Sequence, residues 1–198
     1  MMTPFQLKAI MPGCGNRSDI YADPLTQAMQ AFEIDTPKRQ AAFLAQVAHE
    51  SGQLRYVREL ASGQAYEGRK DLGNVMPGDG VKFKGRGLIQ ITGRSNYTKC
   101  GFALELDLLA NPELLETPEN AAKSAAWFWF QNRLNQYADN DDFLTLTKRI
   151  NGGTNGLDDR IEALADVKEE RVVESQEVVL CDFLTYLKRN PFGAGHNG

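Results

Sequence analysis

Few residues in this chain are of the kinds that bind structural metals or form disulfide frameworks. Three cysteines, Cys14, Cys100 and Cys181, and two histidines occur among 198 residues, and no two cysteines form a C-x-x-C pair. An odd number of widely spaced cysteines does not make a disulfide framework, and two histidines are too few for a usual zinc shell. We therefore expect no structural zinc site, no disulfide-stabilised fold, and neither a metal nor an organic cofactor.

The chain also lacks long apolar segments and an excess of positive charge. No run approaches the roughly 18 to 20 apolar residues that span a bilayer. The segment Met1–Phe5 shows no charged stretch followed by an apolar one, as an export signal would. A formal net charge of −4 gives no electrostatic reason to bind nucleic acid. We expect a soluble monomer with no nucleic-acid partner, no membrane insertion and no export signal of its own.

What the chain does contain is enough apolar residues for a core, 42% of the total. This length and composition predict a single domain over residues 1–198, with a disordered glycine-rich tail over 193–198. Two cap-plus-proline signals, Thr36-Pro37 and Thr117-Pro118, begin predicted helices.

The first helix is predicted over residues 37–51 and the second through Trp129. Apolar spacing predicts a further helix over 142–150 and, over 157–188, either one long helix or two joined ones. The fold class is therefore mainly α.

The middle of the chain has a different composition. Glycines recur between residues 52 and 96, at Gly63, Gly68, Gly73, Gly78, Gly80, Gly85, Gly87 and Gly93. This density disfavours a long helix and permits tight turns. We predict a small β-hairpin with arms over 66–72 and 81–92, joined by a turn at Pro77–Gly80. Gln90 and Thr92 would then lie on one face of a strand, where polar groups could line a sugar-binding cleft.

Two glutamates flank the start of this middle segment. Glu50 lies at the C-terminal end of the apolar helix, where partial burial and the helix dipole favour the protonated carboxyl that a general acid needs. Glu59 follows Gly52, a residue at which the chain can turn back and bring the second carboxylate across a groove. Two carboxylates about 6.5 to 9.5 Å apart would suit inverting glycoside hydrolysis. Each glutamate taken alone is more often a solvated surface charge.

Other interpretations of these motifs are weaker. His49-Glu50 is followed by Gln53 where a zinc-protease motif requires a second histidine, so a metalloprotease is excluded. The Gly85-Arg86-Gly87 segment lacks the third glycine of a dinucleotide-binding loop. Asn151-Gly152-Gly153 reads as a loop between helices whose amide side chain can bind a ligand.

In combination, four ordered blocks resemble family 19 of the glycoside hydrolases, which holds chitinases and many phage endolysins. They are His49-Glu50-Ser51-Gly52, then Glu59, then Lys84 to Thr92 with Asn96-Tyr97, and finally Ile150 to Gly153. The resemblance covers approximately residues 36–165. It implies a lysozyme-like α+β fold, a bilobal helical domain whose small β-hairpin lies beside an active-site cleft.

The resemblance also implies roles for individual residues. Glu50 matches the general acid, Glu59 the general base, and Thr92 a residue that positions the attacking water. Glu67 is an alternative base. Candidate substrate-binding or cleft-supporting residues are His49, Glu67, Arg86, Gln90, Asn96, Tyr97, Asn151 and Arg160, of which Arg160 matches an arginine that contacts the acidic pair.

One departure from the chitinase pattern bears on the substrate. Leu88 replaces a proline that chitinases commonly carry in this block, a form that resembles phage and prophage lysis enzymes. We therefore expect a peptidoglycan hydrolase that stays in the bacterial host cytoplasm until a phage-encoded, holin-type membrane pore releases it to the cell wall. A chitinase of the same fold, a non-catalytic carbohydrate-binding protein and an interbacterial toxin remain alternatives. Peptidoglycan and chitin share the same β-1,4 linkage, so catalytic residues alone do not separate them.

Overall fold

Helices make up most of the described chain, which covers residues 1–165 and 167 in this computed structural model. In chain order they are α1 (Pro4–Ile10), α2 (Arg17–Ala31), α3 (Pro37–Glu50), α4 (Asp79–Lys82), α5 (Arg94–Leu104), α6 (Pro118–Gln131), α7 (Asn135–Asp139), α8 (Phe143–Asn151) and α9 (157–165). The fold is mainly α, as the sequence predicts. Within these residues no helix has the length and hydropathy to cross a bilayer.

The two capped helices form the centre of the structure. Thr36 caps α3 by accepting a hydrogen bond from the Arg39 backbone N–H, while Thr117 precedes α6 without a side-chain cap. Phe43 of α3 meets Trp129 of α6 edge to face, with ring centroids 5.5 Å apart. Burial of each such side chain contributes about 1.5–3 kcal/mol to stability. The predicted positions of both helices are confirmed.

Two apolar clusters give the molecule two lobes. The larger cluster joins α1, α2, α3 and α6, and α2 packs against α6. The smaller cluster surrounds Phe83, Tyr97 and Trp127. Cys14 and Cys100 are free and buried, one in each cluster, and burial raises the pKa of the Cys100 thiol to about 12. These two cysteines therefore act as apolar core residues.

The predicted β-hairpin arms are wrong. Residues 66–72 fall in and between the 3₁₀ turns Gln64–Tyr66 and Lys70–Leu72, and α4 occupies the start of the second arm. The physical reason is that Gly68 and Gly87, one within each predicted arm, adopt positive φ angles, which interrupt an extended strand.

The β-type pairing that exists joins other residues. Arg86 bridges antiparallel to Arg58 and to Ile91. The Glu59 N–H donates to the Gly85 carbonyl at 2.9 Å, and Arg86 and Ile91 exchange both of their backbone hydrogen bonds. Residues 86–91 therefore form a tight turn, and Gln90 lies in it with a φ of +56° instead of on a strand face.

The C-terminal part begins as the sequence predicts. Helix α8 starts after Asp142, whose carboxylate accepts from the Thr145 N–H at 3.0 Å, and ends at Gly152 in a left-handed conformation. Helix α9 starts at residue 157, the predicted start of the last helix. The remainder of that prediction to residue 188, Cys181 and the tail over 193–198 lie outside the described residues.

Candidate active site

The chain leaves the end of α3 through an unusual turn. Gly52, Gln53 and Leu54 all adopt left-handed φ angles, of 56°, 57° and 65°. For a non-glycine residue this conformation costs about 1–2 kcal/mol. Hydrogen bonds offset that cost, since the Gln53 N–H donates to the Ala48 carbonyl at 2.7 Å and the Leu54 N–H to the Ser51 hydroxyl at 2.8 Å. The turn fixes the helix end that carries Glu50.

Glu50 is held by a buried arginine from the far end of the described chain. Arg160 Nη2 donates to Glu50 Oε1 at 2.6 Å, and the two side chains are 1% and 20% exposed. The second carboxylate oxygen, Oε2, makes no hydrogen bond to any residue within 1–165 or to 167. The arginine therefore orients the carboxylate through one of its two oxygens.

Arg160 is in turn positioned by buried polar side chains. Its Nη1 donates to Gln46 Oε1, and Gln46 Nε2 donates to Thr147 Oγ1 at 2.9 Å. Gln46 and Thr147 are fully buried. Arg160 Nε is also buried but has no partner in the described part of the chain, which costs about 1–3 kcal/mol. A polar chain thus links α8, α3 and α9 and ends at the Glu50 carboxylate.

Glu59 lies in the loop that follows the turn. Its Oε1 accepts from the Tyr66 hydroxyl at 2.9 Å, and its Oε2 accepts from the Gly85 N–H at 3.1 Å. A Cβ at Gly85 would lie 2.7 Å from Gln90 Oε1 and 3.3 Å from Glu59 Oε2. The missing side chain at Gly85 therefore lets Glu59 and Gln90 come together.

The remaining polar candidates of this loop are hydrogen-bonded in series. Gln90 Nε2 donates to the Gly87 carbonyl, Thr92 Oγ1 to the Gln90 carbonyl, and Asn96 Nδ2 to the Thr92 carbonyl, over distances of 2.8–2.9 Å. All three side chains are half-buried. Each therefore has a fixed orientation and a polar group within reach of solvent.

Two candidates lie beneath this loop. Tyr97 is 0% exposed, so in this structure it supports the cleft and does not contact a substrate. Arg86 is buried and donates to Tyr97 Oη at 3.0 Å and to Glu116 Oε1 at 2.8 Å. Burial raises the pKa of the Tyr97 phenol. The role that fits Arg86 and Tyr97 is to fix the backbone from Lys82 to Ile91.

Glu67, the alternative base, is hydrogen-bonded to a different loop. Its two oxygens accept from the Gly78 and Gly80 N–H groups, at 2.6 and 2.8 Å. It therefore clamps the turn that begins α4. Glu59 adjoins Gln90, whereas Glu67 contacts none of the other candidate residues through these bonds.

His49 and Asn151 organise the loop between α8 and α9. The His49 ring packs on Gly156 so closely that a Cβ there would lie 1.9 Å from His49 Cε1. Its Nδ1 is 3.5 Å from Asp159 Oδ2, and burial, followed by the charge of Arg160, lowers the pKa of His49. Asn151 bonds to the Asn155 carbonyl at 2.9 Å and accepts from the Gly153 N–H at 2.8 Å.

The sequence pattern did not indicate Tyr66, Gln46 or Glu116. Each contributes through a contact with a residue distant in the sequence or across a turn, and no local periodicity reports such a contact. Nor does any group of three or more His, Cys, Asp or Glu side chains in the described chain form a cluster suited to a metal ion.

Comparison with known proteins gives consistent results. A family model described as class I chitinase, that of glycoside hydrolase family 19, matches residues 26–145. A family 19 domain-containing protein of Haemophilus influenzae is 33% identical over 154 residues, which cover 62% of this chain and 74% of that protein. An endochitinase of Arabidopsis thaliana is 38% identical over 129 residues, but the chain spans only 44% of its length.

Solved structures share the fold. Chitinase C from Streptomyces griseus has a TM-score of 0.68 at 28% identity, covering 85% of this chain and 76% of its own. A bacterial family 19 chitinase has the same TM-score at 25% identity and is covered over 94% of its chain.

Proposed function

The chain belongs to glycoside hydrolase family 19, and from that premise we propose that it hydrolyses the β-1,4 bonds between amino sugars of bacterial peptidoglycan. The observation that carries the proposal is the pair of oriented carboxylates, Glu50 on Arg160 and Glu59 on Tyr66 and Gly85. One is placed by a helix end and the other by the loop that follows it, and an inverting hydrolase requires an acid and a base on opposite sides of the glycosidic bond.

The chemistry follows an inverting, single-displacement mechanism. Glu50 gives a proton from Oε2 to the glycosidic oxygen, so the bond to the leaving sugar breaks without release of an alkoxide. Glu59 takes a proton from a water molecule, which attacks the anomeric carbon from the opposite face. Thr92 donates its own proton to the Gln90 carbonyl, and its hydroxyl oxygen is free to accept a hydrogen bond from that water.

Peptidoglycan is our preferred substrate because of the likeness of the Gly85 to Thr92 block to lysis enzymes. Leu88, which is part of that likeness, is fully buried and therefore does not itself contact a sugar. Chitin is the second candidate, and the observation in its favour is that the named plant relatives and the bacterial structures are chitinases.

The direct test measures reducing ends released from purified sacculi and from chitin hexaose. Wild-type protein should turn over sacculi faster, and Glu50→Gln should lose about 10²- to 10⁴-fold in kcat, the usual contribution of a general acid. Glu113→Gln, on an exposed residue away from the site, is the matched control. Faster turnover of chitin would overturn the substrate, and full activity of Glu50→Gln would overturn the mechanism.

The proposal extends to where the enzyme acts. We place it in the bacterial cytoplasm until the membrane is permeabilised, because its substrate lies on the other side of that membrane. Cells expressing the chain should keep their turbidity until chloroform is added and then lyse, whereas cells expressing Glu50→Gln should not lyse. Lysis without chloroform would contradict this placement.

A further inference from the structure

A separate pocket of about 590 Å³ lies beside the end of α3. Its lining includes His49, Arg55, Tyr56, Asp159 and Glu162, but none of Glu50, Glu59, Gln90 or Thr92. His49 precedes Glu50 on α3, and Asp159 precedes Arg160 on α9. In each of these neighbouring pairs one residue lines the pocket and the other forms the Glu50–Arg160 ion pair. The pocket and the acid therefore share the same two helix ends.

The pocket is lined by charged side chains, some of which have no ion-pair partner among residues 1–165 and 167. Arg55 and Glu162 form no ion pair with any residue described here. Within the described part of the chain the ion-pair partner of Asp159 is His49, and the lowered pKa of His49 keeps the imidazole uncharged near neutral pH. One cation and two carboxylates thus face the same cavity.

The walls of the pocket are preorganised. The Gly13 N–H donates to Gln53 Oε1 at 2.5 Å, so the left-handed turn at 52–54 is tied to the segment after α1. A Cβ at Gly52 would lie 3.0 Å from the Tyr56 ring, which is 41% exposed and offers an apolar face. These contacts hold one wall of the pocket, which limits the entropy lost on binding.

The charged side chains of the pocket favour a ligand that itself carries charges of both signs. Chitin consists of uncharged N-acetylglucosamine units, which offer no ionic partner to an arginine and two carboxylates. The peptide stem that peptidoglycan carries on muramic acid has carboxylates and, on its diamino acid, an ammonium group. An extended peptide spans about 3.3–3.6 Å per residue, so a stem of a few residues extends on the order of 10 Å from its sugar.

We propose that this pocket binds the peptide stem of peptidoglycan, with a stem carboxylate at Arg55 and the diamino-acid ammonium at Asp159 and Glu162. The inference rests on the proposed function and deepens it, because it assigns recognition of peptidoglycan to residues outside the catalytic pair. The volume lies within the range of about 300–1,000 Å³ usual for small-ligand sites.

The test is an NMR titration with N-acetyl-L-Ala-γ-D-Glu-L-Lys as the probe. Wild-type protein should show shift changes around Arg55 and Glu162, and Arg55→Gln should weaken binding about fivefold, as expected for a partly exposed charge pair. Acetylating the lysine side chain of the probe should weaken binding to wild type but not to the double variant Asp159→Asn/Glu162→Gln, which lacks both carboxylates. Arg133→Gln, in a different cavity of about 620 Å³, is the matched control and should bind as wild type does.

Absence of binding, or binding that ignores both the variants and the acetylation, would overturn the inference. Release of reducing ends from sacculi is measured in parallel and separates the two proposals. Cleavage of sacculi without peptide binding would overturn the inference about the pocket and leave the proposed function standing. Peptide binding without cleavage of sacculi would support the inference about the pocket and overturn the proposed function.

Discussion

The absence of a side chain at Gly85 allows the Glu59 and Gln90 side chains to lie next to each other. An alanine there would place its Cβ 2.7 Å from Gln90 Oε1 and 3.3 Å from Glu59 Oε2, so one of the two side chains must move. Gly85 does not have a positive φ angle, so the backbone itself accepts alanine.

We expect Gly85→Ala to lower kcat/KM about tenfold, because a misplaced catalytic group of this kind costs rate more than stability. The melting temperature should change little. Gly153→Ala is the control, since a Cβ there meets nothing within 4 Å and φ is not positive. Equal kcat/KM values for the two variants on sacculi would contradict this role of Gly85.

His49 should make stability depend on pH. Burial, and then the charge of Arg160, lowers the pKa of His49 below 6.5 in the folded state, so the unfolded chain binds its proton first as the pH falls. The stabilising contribution is therefore present above about pH 6.5 and is lost as the pH drops through the folded pKa.

Urea denaturation of wild type and His49→Gln at pH 7.5 and pH 5.5 measures this contribution. The free energy of unfolding should fall more in wild type than in the variant between the two values. Identical changes would mean that His49 does not titrate differently on folding.

At the scale of elements, the loop between α8 and α9 offers a matched pair of glycines. Gly152 and Gly156 have similar positive φ angles, 74° and 66°, so alanine strains both backbones by about 1 kcal/mol. At Gly152 a Cβ meets nothing within 4 Å, whereas at Gly156 it would overlap the His49 ring.

We expect Gly152→Ala to lose about 1 kcal/mol of stability and little activity. Gly156→Ala should lose more stability and most of its activity, because relieving the clash moves α9, and Arg160 with it, away from Glu50. Melting temperature and sacculus hydrolysis measured on both proteins test this. Similar losses of stability and activity in the two variants would show that backbone strain, and not the clash with His49, causes the effect.

Elements differ in how far the sequence predicts them. Thr36-Pro37 and Thr117-Pro118 correctly begin α3 and α6, since a cap and a proline act within a few residues of each other. The predicted hairpin failed because Gly68 and Gly87 adopt positive φ angles within the predicted arms, and a glycine has no side chain whose pattern reports its φ angle. Glycine density indicated turns, but not which turns.

The same limit applies to the site. The pattern around Glu50 and Glu59 named both carboxylates, yet Tyr66, Gln46 and Glu116 carried no signal, because they act through contacts that only folding creates. Tyr97 and Arg86 were found by position in a motif, and burial places them under the loop as supports.

At the scale of the whole molecule, the reaction has a stereochemical outcome. An acid and a base acting in one displacement invert the anomeric centre, so a β-linked substrate gives the α-anomer first. Proton NMR of soluble glycan fragments, recorded within minutes of adding enzyme, should show the α signal before mutarotation adds the β signal. An initial β signal would require a covalent intermediate and would remove Glu59 from its role as base.

The ion pair between Glu50 and Arg160 joins positions 110 residues apart. A ribosome adds roughly 5–20 residues per second, so for about 5–20 s a nascent chain displays the carboxylate before its cation has been made. Truncated translation products that stop before α9 contain Glu50 without Arg160, the residue that orients it. Synthesis order therefore means that Glu50 is oriented only after nearly all of the described chain exists.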